Sequence, residues 1–91
     1  MEVIRKLAHR TNYGSVRYLT DIKYIVIHYT ANDGDKAWNN VNYFANNADL
    51  KASAHYFVDD DSVTQSVPDD YVAWHCGTSG TYYNGCRNSN S

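Results

Sequence analysis

The chain has 91 residues, enough for one small domain or part of one, with room for a single modest core. Its formal net charge of −2 gives no electrostatic footprint for nucleic acid, and Arg5, Lys6, His9 and Arg10 are too few to make a binding arm. No apolar run approaches membrane-spanning length. Leu, Ile, Val and Phe are scarce, but nine Tyr, two Trp and a near-neutral charge balance point to a folded chain. Richness in Tyr and Asn suits a surface that stacks on and hydrogen-bonds to a polar, sugar-like ligand. The stretch from Met1 to Leu7 carries charge inside its apolar residues and lacks a signal-peptide core, so no Sec export is expected.

Residues 1–22 read as an irregular lead-in with a helical turn or short strand around the Tyr13-Gly14 turn signal. Tyr24 to Tyr29 is a continuous β-favouring run, apolar on both faces, which predicts a buried central strand. Thr30 to Asp35 has turn chemistry, with Asp33 or Asp35 as the N-cap of a following helix. From Lys36 to about Ala48, the residues Trp38, Val41, Phe44, Ala45 and Ala48 fall at helical spacing on one face. Ser53–Asp59 and Ser62–Val67 alternate across Asp59-Asp60-Asp61, which predicts a β-hairpin that Pro68-Asp69-Asp70 ends. Tyr71 to Cys76 is a short aromatic run, and residues 78–91 are polar and turn-rich. This order implies an α/β or α+β sheet with a helix on one face, residues 23–77 forming its core. So thin a core, with no closing element after Asn88-Ser89-Asn90-Ser91, reads as an unfinished domain.

Three histidines have a context in which chemistry can sit. His28 stands at the carboxyl end of the predicted central strand, where open α/β sheets place ligands; the alternative is a core histidine bonded to a carbonyl. His55 lies inside the first hairpin strand and reads as half-buried and structural. His75, in Trp74-His75-Cys76-Gly77, sits at a strand-to-loop junction of the kind that carries function; its alternative is a surface histidine. Together they offer three nitrogens to a metal, but no short-range spacing supports that set. Cys76 beside His75 is poorly placed to join it, since adjacent strand residues point to opposite faces. Cys76 and Cys86 form one disulfide, supply metal ligands or stay free; a bridge is expected under oxidising conditions, because Gly77, Gly80 and Gly85 let the loop fold back. Asp59-Asp60-Asp61 reads as a solvated turn and not a calcium loop.

Four blocks carry a resemblance. Residues Tyr24-Ile25-Val26-Ile27-His28-Tyr29-Thr30-Ala31, Ala52-Ser53-Ala54-His55-Tyr56-Phe57-Val58, Val63-Thr64-Gln65-Ser66-Val67-Pro68-Asp69 and Val72-Ala73-Trp74-His75-Cys76-Gly77 are similar, in order and spacing, to the zinc-dependent N-acetylmuramoyl-L-alanine amidases. That family is shared by phage endolysins, bacterial autolysins and peptidoglycan-recognition proteins. The resemblance implies an α/β fold: the N-terminal part of one amidase domain, a mixed central β-sheet with a flanking helix, cut before the remaining strands and helices. It makes His28 the first Zn2+ ligand, and makes His55 a pocket residue. Tyr29, His55, Trp74 and His75 are then the substrate-contacting positions. The family's other two ligands and its catalytic glutamate fall beyond this stretch; a tyrosine that some members use is replaced by Ala54.

The implied reaction is metal-assisted hydrolysis of the amide joining N-acetylmuramic acid to L-alanine, a carboxylate moving the water's proton to the leaving nitrogen. The implied partner is bacterial peptidoglycan, reached from the cytoplasm by a route such as a phage holin. With one expected ligand, the 91-residue chain is expected to be inactive alone, and its open sheet edge to drive homodimerisation or strand exchange. Two other classes stay open: a non-catalytic peptidoglycan-binding module, and a self-contained zinc domain using His28, His55 and His75.

Overall fold

The structure is a computed structural model that describes residues 2–28, 36–76 and 85–91. Two small sheets share one helix. Strand β1 (Val3–Arg5) lies parallel to β4 (Val63–Gln65), which pairs antiparallel with β3 (Tyr56–Val58), giving the order β1-β4-β3. Strand β2 (Tyr13–Val16) pairs antiparallel with β5 (Tyr71–Ala73), with an irregularity in register between Tyr13 and Val16. The architecture is therefore a mixed sheet with a flanking helix, as the sequence implied. The N-terminal stretch does more than lead in, because it supplies a strand to each sheet.

Helix α1 (Ala37–Asn46) buries Ala37 and Val41 and turns Phe44 onto Phe57, the two rings stacking at 5.6 Å. Positions 37, 41 and 44 make the inward stripe, so Val41 and Phe44 of the predicted face turn inward, with Ala37 in place of Trp38 at its start. Trp38 is 47% exposed, with the Lys6 ammonium 5.6 Å from its ring centroid. The small Ala37 lets the first turn approach the hairpin, and an indole there would not fit. The predicted caps Asp33 and Asp35 lie outside the described residues. Instead the Asp59 carboxylate accepts the Ala37 N–H at 2.7 Å from across the hairpin, while also binding the N–H groups of Asp61 and Ser62. One side chain thus closes the β3–β4 turn and satisfies a donor at the helix start.

The far end of α1 is held by Asn12, which has no exposed surface. Its amide donates to the carbonyls of Phe44 (2.9 Å) and Asn47 (2.7 Å), and its Oδ1 accepts the Leu50 N–H at 2.8 Å. These bonds occupy C-terminal carbonyls that a helix leaves open. Beside them lies the core: Ala8, Tyr13, Val67 and Ala73, with Phe44 and Tyr71 packed against it.

The predicted central strand is not formed. Residues 22–28 have no strand partner among the described residues, and Ile25 and Ile27 are each 91% exposed. Its first part is pinned by the Lys23 and Tyr24 N–H groups on the Asn90 carbonyl (2.8 and 3.1 Å). A β-branched run suits a pleated surface but does not supply the neighbouring strand that makes it one. Here the facing edge, residues 54–58, stands on the other side of a cavity of about 710 Å³.

Candidate functional site

That cavity is where the histidines meet. His28, His55 and His75 all line it, together with Arg17, Asp69 and Ser91. His28 is the last described residue of the 22–28 segment, which forms no strand among the described residues, and His55 sits just before β3. His75 follows β5, and its position is set by the backbone: the N–H groups of His75 and Cys76 both donate to Asn88 Oδ1, at 3.0 and 2.7 Å. The Trp74 carbonyl accepts the Ser53 N–H and the Trp74 N–H donates to Ser53 Oγ, and the indole lies over Gly14, where an added Cβ would meet Nε1 at 2.9 Å. It does not line the cavity. Tyr29 lies outside the described residues.

A chain of hydrogen bonds fixes the imidazoles. His28 Nε2 is 2.9 Å from His75 Nδ1, and His75 Nε2 is 3.0 Å from Ser91 Oγ. The Ser91 hydroxyl donates to the Arg87 carbonyl at 2.6 Å, so its oxygen is left to accept from His75 Nε2–H. His75 Nδ1 is then the acceptor, and His28 Nε2 the donor that faces it. Burial first, and then His28 and His55 nearby, press the His75 pKa down to about 4. Neutral imidazole is the form that this network needs.

His55 is held neutral as well, mainly by burial, with the Tyr71 carbonyl opposing. Its Nε2 faces two partners, the Tyr71 carbonyl at 2.9 Å and Arg17 Nη2 at 3.1 Å. It can donate to the first or accept from the second, not both, so the ring has two competing tautomers. Arg17 itself donates to the carbonyls of Asp69 (2.9 Å) and Ser91 (2.7 Å). Burial lowers its pKa, opposed by Asp69 and Asp21. Arg17 and Asn88 escaped the sequence reading. The only signal for Arg17 was its place at the end of a stretch whose pairing with β5 is non-local.

Cys76 was expected to point away from His75. Its Sγ instead lies 3.3 Å from His75 Nδ1, because residues 74–76 have left the strand and its alternation no longer applies. Burial pushes the Cys76 thiol up. The residues around the cavity supply imidazoles without closing a zinc site: among the described residues the one convergence of three potential ligands is Asp59, Asp60 and Asp61. That cluster is the hairpin turn, whose carboxylates are already engaged by backbone N–H groups and by Lys36.

A hairpin edge, three histidines and a facing segment thus line one cavity of an α/β protein. The family follows from comparison with known proteins. The profile of the type 2 N-acetylmuramoyl-L-alanine amidases matches residues 18–91, and the chain belongs to that family. The N-acetylmuramoyl-L-alanine amidase CwlA of Bacillus subtilis is 39% identical over 85 residues, which cover 89% of this chain and 30% of that protein. A probable N-acetylmuramoyl-L-alanine amidase of Bacillus licheniformis is 47% identical over 60 residues, 63% of this chain and 17% of its own length. A bifunctional autolysin of Staphylococcus aureus is 39% identical over 56 residues, 62% of this chain and 4% of its own length. The chain thus spans less than a third of each of these relatives. No solved structure matches.

Proposed function

We propose that this chain is part of a zinc-dependent peptidoglycan hydrolase that cleaves the amide between N-acetylmuramic acid and L-alanine. The observation that carries the reading is the meeting of His28, His55 and His75 on one cavity in a chain of this family. His28 is the metal-binding imidazole, its ring oriented by the contact of its Nε2 with His75. His75 and His55 are neutral hydrogen-bonding groups of the wall, suited to hold the muramyl peptide rather than a cation. The site of action is the bacterial cell wall, outside the cytoplasm.

One imidazole does not hold a catalytic zinc, so the 91 residues alone are inactive. Dye release from labelled cell walls with zinc added is expected to show no turnover. In parallel, a soluble muramyl peptide should shift the NMR signals of His55 and His75 but not those of Trp38, on the far side of the helix. Turnover that disappears in His28→Ala would replace this reading with the self-contained three-histidine site. Binding shifts confined to residues away from the cavity would remove the peptidoglycan reading altogether.

The free edge of β3 and the exposed Ile25 and Ile27 favour self-association of the chain, by strand pairing between copies. Light scattering at rising concentration should show a dimer, and a monomer at the highest concentration would count against it.

A further inference from the structure

Cys76 and Cys86 are 7% and 1% exposed, and their sulfurs lie 4.0 Å apart. Several features unrelated to sulfur chemistry bring them together. Cys76 is strapped to the segment that carries Cys86 by its N–H bond to Asn88. Gly85 has φ +83°, in the left-handed region, and an added Cβ there would fall 2.9 Å from the Tyr24 hydroxyl oxygen. The chain must therefore turn at a glycine, and that turn directs Cys86 back toward Cys76. The Asn90 amide donates to the Gly85 carbonyl at 2.9 Å, and the Arg87 N–H donates to Asn90 Oδ1 at 2.8 Å, so the turn is closed before any sulfur bond forms.

We infer that Cys76 and Cys86 are a dithiol–disulfide pair whose oxidation ties the strand exit carrying His75 to the turn carrying Asn88 and Ser91. The oxidant is a small-molecule disulfide. Cys76, the more exposed thiol and the one beside an imidazole nitrogen, gives up its proton and attacks one sulfur of the oxidant. A mixed disulfide forms and one small thiol leaves. Cys86 then attacks the Cys76 sulfur and expels the second small thiol. Two protein thiols and one small disulfide become one protein disulfide and two small thiols. In the reduced chain the Cys76 thiol faces His75 Nδ1; in the oxidised chain that donor is gone and the Asn88–Ser91 turn is fixed covalently beside His75. The pair does not depend on the amidase reading, since it is measured without substrate or metal.

The experiment is intact mass spectrometry with thiol alkylation of the natively folded chain, after reduction and again after glutathione disulfide. Both thiols should be alkylated in the reduced protein and neither in the oxidised one, which should carry no bridge between chains and be two hydrogens lighter. Its melting temperature should be higher by roughly 10 °C, as closing a short loop predicts. Cys86→Ala, checked for folding by circular dichroism, should keep one reactive thiol and show no such shift. Two alkylated thiols after oxidation, a stable mixed disulfide on either cysteine, or a bridge between chains would each overturn the inference. So would protection of both thiols by bound zinc with no loss of hydrogens.

Discussion

The two most apolar-looking parts of the chain end in opposite conditions. Helix α1 has only a narrow apolar stripe, yet Val41 is fully buried. Residues 24–27 are apolar in unbroken succession, yet Ile25 and Ile27 face solvent. The helix is held by polar groups from distant segments, Asp59 at one end and Asn12 at the other. The run beginning at Tyr24 has only the Asn90 carbonyl and the edge of the cavity. Hydrophobic composition provides a driving force for burial, but which surface gets buried is decided by who supplies hydrogen-bond partners.

The largest expected effect tests the polar half of that comparison. Asn12→Ala takes the amide from the Asn47 carbonyl and the Leu50 N–H at a position with no exposed surface, while the Phe44 carbonyl keeps the His9 N–H. We expect a loss of about 2–4 kcal/mol in urea unfolding. A loss below roughly 1 kcal/mol would mean that water replaces the amide, and that the helix does not need this cap.

What could be read in the sequence follows the same division. The hairpin was legible because alternation and turn residues are local signals, and β3 and β4 formed on either side of the three aspartates. The helix was legible from its period, and Val41 and Phe44 of the predicted face do turn inward; only at its start was Trp38 chosen over the smaller Ala37. For the lead-in a helical turn or one short strand was expected; that it supplies β1 and β2, one to each sheet, was not legible, since their partners lie some 60 residues away in sequence. For the site, the three histidines were identified individually and the structure brings them to one cavity. Arg17, Asn88 and the Asp59 cap were not legible, because each acts through a contact across the fold that no local spacing announces.

A smaller effect should come from the other cap, and acid should reveal it. The N–H of Ala37, followed by those of the hairpin turn and the Ser62 hydroxyl, lowers the Asp59 pKa from 3.8 to about 2. The native state therefore favours the carboxylate more than the unfolded chain does. This contribution is fully present above pH 3.8 and is lost as the pH falls through about 2. Asp59→Asn should remove that part of the acid slope while leaving stability nearly unchanged in its shape with pH above 5 or so. An unaltered slope between wild type and variant would show that the Ala37 bond does not persist in solution.

The smallest effect is the sharpest test of the comparison. In a buried central strand, Ile25→Ser or Ile27→Ser would remove a large apolar side chain and bury a hydroxyl, at a cost of roughly 3 kcal/mol each. On the exposed segment seen here, the double substitution should change stability by less than about 0.5 kcal/mol, measured at concentrations where the chain is monomeric. Val41→Ala, in the fully buried position of α1, is the matched control and should cost about 2 kcal/mol. A double Ser variant at least as damaged as the Val41 control would mean that the run packs against a neighbour after all, and the contrast between the two regions would collapse. A near-silent one would confirm that an apolar run lacking a strand partner adds little to the stability of this chain.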